Sequence, residues 1–116
     1  MKITRVYSGP DGESHFEDVE IDLVDRGKIG RISKLMDATG VVFRETDADY
    51  SLDFHCAPRR QFVINLDGAL ELEVGDGSKR VLAPGDILLA EDTSGRGHIS
   101  RAIDGRPRRS IFVTLD

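Results

Sequence analysis

The 116-residue sequence predicts an all-β fold, a sandwich or barrel of short antiparallel strands with at most one short helix. Two observations carry this. Turn signals punctuate the whole chain, recurring roughly every ten residues from Asp67 onward. Between them, apolar and polar residues alternate with a period of two. The turns are marked by Gly9-Pro10-Asp11-Gly12, Asp25-Arg26-Gly27, Asp67-Gly68, Gly75-Asp76-Gly77, Pro84-Gly85-Asp86, Gly95-Arg96-Gly97 and Asp104-Gly105-Arg106-Pro107. Tight reversals need positive φ, which glycine adopts without a Cβ clash, so hairpins are expected at Asp67-Gly68 and at Gly75-Asp76-Gly77.

Taken in order, Lys2 to Tyr7 and Phe16 to Leu23 read as strands, the second because Val19, Ile21 and Leu23 alternate with Glu20 and Asp22. Residues 29 to 36 are ambiguous: Ile29, Ile32, Leu35 and Met36 fit one face of a two-turn helix, and an irregular extended segment suits the neighbouring strands equally well. Val41-Val42-Phe43, Gln61 to Leu66, Asp86 to Ala90 and Ser110 to Leu115 are richer in apolar residues and are expected to lie deeper. Leu70, Leu72 and Val74 alternate with Glu71 and Glu73, the pattern of a half-buried strand.

A chain of this length supports one domain, 1–116, with residues 1–24 as strands that cover the barrel or form a dimer interface. The formal charge of −5 argues against a nucleic-acid partner, which usually selects a basic surface. No apolar run reaches the roughly 20 residues of a membrane-spanning helix, and the start of the chain lacks a signal-peptide pattern, so the cytoplasm is the expected compartment. The single cysteine, Cys56, cannot form an intramolecular disulfide, in keeping with that expectation.

The strand from Tyr50 to Ala57 is the most informative for function. Alternation puts Tyr50, Leu52 and Phe54 on one face and Ser51, Asp53 and His55 on the other. Gln61 continues the parity of His55 after Ala57-Pro58, and His98 follows the glycine-flanked Gly95-Arg96-Gly97 on the same face as Ser100. His55, Gln61 and His98 are thereby expected to converge inside one barrel. Arg59 shares their parity, and its guanidinium could hold a carboxylate or phosphate of a small ligand by paired hydrogen bonds, or equally pair with an acidic side chain on the rim. Arg60 and Cys56 are expected on the opposite side. Glu91 and Asp92 read as loop carboxylates that could also serve as acid or base at the barrel mouth, and His15 as a surface or interface residue. The cluster Arg106-Pro107-Arg108-Arg109 reads as solvated charge on loops and strand edges.

The stretch from His55 to Gly68, together with Leu82-Ala83-Pro84-Gly85-Asp86 to Ala90 and Gly97-His98, resembles the two conserved motifs of the cupin superfamily. His55 matches the first histidine and Gly68 the closing glycine of the first motif; Ala57 stands at the second histidine position and Gln61 at the glutamate position. Gly85 opens the second motif and His98 is its histidine, two residues later than the usual spacing. The resemblance implies a double-stranded β-helix, or jelly-roll, barrel that holds one divalent metal (zinc, iron, manganese, nickel or copper) on His55, Gln61 and His98. With no anionic donor, such a set is weak by ordinary metal-site standards, and Asp53 could add a carboxylate only if it sat close enough.

Three readings therefore stand at this point. One is a small metalloenzyme acting on a polar or anionic molecule oriented by Arg59. The second, favoured by Ala57 and Gln61, is a metal-free binding protein or cofactor-independent isomerase or epimerase using the cavity histidines. The third is a structural or partner-binding domain. A small-molecule ligand and a homodimer are the expected partners, the dimer because the N-terminal strands leave edges to cover.

Overall fold

A computed structural model describes residues 1–116 and contains twelve strands: β1 Lys2–Ser8, β2 Ser14–Glu20, β3 Val24–Asp25, β4 Arg31–Ile32, β5 Gly40–Thr46, β6 Ser51–His55, β7 Gln61–Asn65, β8 Leu70–Glu73, β9 Lys79–Leu82, β10 Ile87–Glu91, β11 His98–Ala102 and β12 Arg108–Thr114. One sheet has the order β2-β1-β10-β7-β12-β5, another β6-β11-β8-β9, and β3 pairs with β4 alone. From β5 onward the chain crosses back and forth between the two larger sheets, which gives the expected all-β jelly roll. All pairings are antiparallel except that of β1 with β10. No helix is long and apolar enough to cross a membrane.

The core lies between the sheets. Val6, Val63, Leu88 and Ala90 come from the six-stranded sheet, Leu70, Leu72 and Leu82 from the four-stranded one, all buried in one cluster. Complete burial of each larger aliphatic side chain contributes about 1.5–3 kcal/mol, so the period-two pattern in β7, β8 and β10 is also the energetic basis of the closure. The opposite face of the large sheet is apolar as well: Ile3, Phe62, Ile64, Ile87 and Val113 line a shallow depression there with Met1, Ile21 and Met36.

Two local expectations are corrected and one open alternative is resolved. Gly75-Asp76-Gly77 joins the paired strands β8 and β9, but Asp67-Gly68 is a corner between sheets, because β7 pairs with β10 and β12 and β8 with β9 and β11. The Asp-Gly signal reports a positive φ, 70° at Gly68, and does not specify whether the flanking strands pair. Asn65, fully buried, ties this corner by donating from Nδ2 to the carbonyls of Gly68 and Leu82. Residues 29 to 36 form no two-turn helix: a 3-10 turn at Gly27–Ile29 leads into β4, and Ile29, Leu35 and Met36 are exposed, so no apolar partner favours a helical face. Arg108, assigned to a solvated cluster, is among the most buried residues of the chain, at 1% exposure.

Candidate functional site

A cavity of about 240 Å³ opens between the sheets, lined by His55, Gln61 and His98 together with Arg44, Tyr50 and Ser100 and an apolar wall that includes Leu72, Leu88 and Phe112. Its size suits a small metabolite and is below the range of drug-sized pockets, which starts near ~300 Å³. The histidines face each other across neighbouring strands: β11 pairs with β6 so that His98 lies opposite His55, and the ring centroids are 4.5 Å apart. Gly97 makes this approach feasible. It has φ +81°, and a Cβ there would stand 2.0 Å from the His55 carbonyl oxygen.

Asp53 does not join them. Going from Ser100 to His98 takes two steps along β11 but from Leu52 to His55 three along β6, so an extra residue in β6 interrupts the alternation. Tyr50, Leu52 and His55 consequently line the cavity, whereas Asp53 is exposed, its carboxylate accepting from the Phe54 backbone N–H at 2.8 Å. Arg59, in the connection before β7, is exposed and outside the cavity lining. Gln61 is buried at the start of β7, and its Oε1 has no hydrogen-bond partner.

Each histidine is oriented through Nδ1. The His98 Nδ1–H donates to Asp92 Oδ2 at 2.6 Å, and the same oxygen accepts from the Ser14 hydroxyl at 2.7 Å. Asp92 is fully buried and Ser14 nearly so. The His55 Nδ1–H donates to the Asp53 carbonyl at 2.8 Å. A carbonyl and a carboxylate can only accept, so the proton sits on Nδ1 in both rings and Nε2 is the nitrogen left for a ligand. Burial, only partly offset by the hydrogen bond to the Asp53 carbonyl, holds the His55 imidazole below its ordinary range and therefore neutral near pH 7.

Arg44 and Tyr50 line the same cavity, and Arg108 packs against Tyr50 outside its lining, beside a separate surface pocket formed with Glu45, Thr46, Asp47 and Asp67. The Arg44 guanidinium lies 4.7 Å from the Phe112 ring and 5.4 Å from the Tyr50 ring, and that of Arg108 lies 5.5 Å from Tyr50. The Tyr50 hydroxyl is 2.9 Å from Ser100 Oγ. Burial, with the neighbouring Arg44 charge, pushes Arg108 down to about 10, which leaves it protonated at neutral pH.

The remaining singled-out residues serve the scaffold. Glu91 bridges Arg5 and Arg60, at 2.5 and 2.6 Å, and Arg60 also reaches Asp116. His15 pairs with Asp11 at 3.0 Å, and the Cys56 thiol donates to the Gly95 carbonyl. Sequence reasoning missed Ser14, Arg44 and the orienting role of Asp92. A signal existed for the arginines: running the alternation of Ser110 and Phe112 back one step puts Arg108 inward, and the register pairs Arg44 with Ser110.

No protein-family model and no curated protein matches the chain. Solved structures do match its fold. A sugar phosphate isomerase from a cupin superfamily, from Silicibacter pomeroyi, is 21% identical with a TM-score of 0.51, over 100% of this chain and 71% of that one. A conserved protein of unknown function from Streptococcus pyogenes is 17% identical with a TM-score of 0.52, over 72% and 69% of the two chains. A protein from Neisseria meningitidis is 13% identical with a TM-score of 0.51, over 66% and 72%.

Proposed function

The chain has a cupin-type fold, and we propose that its barrel binds a small polar molecule and moves protons on it with His98 and His55, without a resident metal. The observation that carries this reading is the buried Ser14–Asp92–His98 chain. It fixes the His98 ring and its proton, supports positive charge on the imidazole when Nε2 takes a proton, and leaves Nε2 as the unengaged nitrogen of a cavity-lining ring. The chemistry that suits such a pair, side by side on one wall, is isomerisation beside a carbonyl. One imidazole removes a proton from carbon and, protonated by that step, returns it to an adjacent atom on the same face, so the ring ends as it began and no oxidant or reductant is consumed.

The donors present do not suit a divalent cation. They are two imidazoles and the Gln61 amide, no three His, Cys, Asp or Glu side chains converge anywhere in the chain, and the Arg44 guanidinium adds positive charge to the cavity wall, with that of Arg108 behind Tyr50. One observation speaks for the second reading, a metal on His55, Gln61 and His98: both rings are oriented through Nδ1, as metal-bound histidines usually are. Elemental analysis of untagged protein separates the two. Near-stoichiometric zinc, iron, manganese, nickel or copper that disappears in a His55→Ala, His98→Ala double variant overturns the metal-free reading.

The activity is tested with small hydroxy acids, keto acids and sugar phosphates in deuterated water. Deuterium is expected to enter carbon in at least one of them, to persist with a chelator and to vanish in His98→Ala. Absence of exchange across the panel overturns the proton-transfer reading. We further propose that a second copy covers the apolar outer face of the six-stranded sheet, where Ile64, Ile87 and Val113 lie. Light scattering is expected to give twice the 12.8 kDa chain mass, and half of that in Ile64→Asp; a monomeric wild type at micromolar concentration rejects the dimer.

A further inference from the structure

We propose that Arg44 and Arg108 form a subsite that binds the oxyanion group, carboxylate or phosphate, of the molecule the barrel takes. This rests on the cavity-binding reading above and adds the class of ligand. Arg108 is 1% exposed, yet its Nε and both terminal nitrogens have no hydrogen-bond partner. Arg44 Nε is likewise buried and unpartnered, and so is Oγ1 of Thr46, which stands directly across from Arg108 in the β5–β12 register. Leaving several charged donors unpaired is costly, and native interiors rarely tolerate it.

The other arginines are accounted for. Arg5, Arg60, Arg80, Arg96, Arg101 and Arg109 each hold a carboxylate, and the rest are exposed. Only Arg44 and Arg108 combine buried guanidinium nitrogens with the lack of an acidic partner; Arg44 lines the cavity, and Arg108, outside that lining, packs against the same ring, Tyr50, which does line it. Two like charges held close repel each other unless an anion lies between or beside them. In a chain of net charge −5 such a locally cationic interior favours an anion strongly over the surrounding surface. A guanidinium offers parallel N–H donors that match the two oxygens of a carboxylate or phosphate. The Tyr50 hydroxyl, already linked to Ser100, adds a neutral donor at the same wall.

The test is thermal unfolding of the full chain in sodium phosphate, sodium sulfate and sodium acetate, against sodium chloride at matched ionic strength. Phosphate or acetate is expected to raise the melting temperature saturably where chloride does not. A response to phosphate and sulfate alone assigns a phosphoryl-type group, and one to acetate a carboxylate. In Arg108→Met the anion response is expected to weaken by about tenfold or more, while the anion-free protein keeps its stability, because the change removes an uncompensated buried charge. Arg44→Met and Arg108→Lys give the same comparison should Arg108→Met fail to fold. Equal responses to all salts, or an unchanged phosphate response in these variants, overturn the proposal. His98→Ala separates the two readings: it is expected to retain the anion response while losing deuterium exchange. An anion response without exchange in the wild type leaves the subsite standing and removes the proton-transfer reading; exchange without an anion response does the reverse.

Discussion

Replacing Gly97 by alanine tests the geometry on which the site depends. Two costs add at this position. The backbone has φ +81°, which for a residue with a Cβ costs about 1–2 kcal/mol. The new methyl would also stand 2.0 Å from the His55 carbonyl oxygen and 2.7 Å from the Cys56 nitrogen, backbone atoms that cannot swing aside as a flexible side chain would. Relief requires β6 and β11 to separate, and overpacking of this kind adds about 1–3 kcal/mol. The sum, about 2–5 kcal/mol, corresponds to a fall of roughly 8–20 °C in melting temperature for a domain of this size. Gly77→Ala supplies the control, since Gly77 has φ +87° but no atom within 4 Å of the added methyl, so only the first cost applies. The assay is urea unfolding of both variants, with slopes compared to verify that the unfolded states match. The reasoning fails if Gly97→Ala loses no more stability than Gly77→Ala, because the close approach of β6 and β11 that brings the two tilted rings together would then leave room for a methyl group.

Two further outcomes follow from the ion pairs. Burial alone would raise the Glu91 carboxyl, but hydrogen bonds from Arg60 and Arg5 outweigh it and hold the group below the usual carboxylate range. Its folded value therefore lies below the unfolded one of about 4.3, so its contribution is complete above that pH and is lost as pH falls through the folded value. Glu91→Gln is expected to cost about 1–2 kcal/mol at neutral pH and to lose less additional stability than the wild type in urea titrations on acidification; a parallel acid loss in both proteins contradicts the assignment. Asp92→Asn is expected to disturb the His98 tautomer, seen by nitrogen NMR as a change from the proton on Nδ1 alone in neutral wild-type His98, and to reduce deuterium exchange by about 100-fold or more. A wild-type His98 carrying its proton on Nε2 refutes the orienting role of Asp92.

The layered β-fold was legible because period-two burial and frequent turns are local properties, and β7, β8 and β10 follow them residue by residue. The convergence of His55, Gln61 and His98 on one cavity was legible from the motif resemblance, since in β6 the alternation opposed His55 to Tyr50 and Leu52, which line the cavity with it. What failed was parity across irregularities. The extra residue in β6 turned Asp53 outward, and the connection through Pro58 left Arg59 on the surface, since neither bulges nor loops announce themselves in an alternation. Arg108 was misread on composition: arginine is usually exposed, and only its register beside Ser110 and Phe112 marks it as inward. Ser14 and Asp92 lie 78 residues apart, beyond what local pattern can connect.

The parallel pairing of β1 with β10 bears on how the molecule assembles. Thr4 sits beside Leu88, so the first strand made has no neighbour on its inner edge until most of the chain has been synthesised. Its only early partner is β2, and an isolated two-stranded ribbon is marginal in water. Nucleation thus falls to the later strands, led by the local β8–β9 hairpin, and the N-terminal ribbon docks onto β10 as a late, loop-closing step. Until that step, the unpaired edges of β1 and β10 are open to other chains. Slow folding, on the millisecond-to-second scale or longer, and self-association during synthesis are the hazards this topology carries.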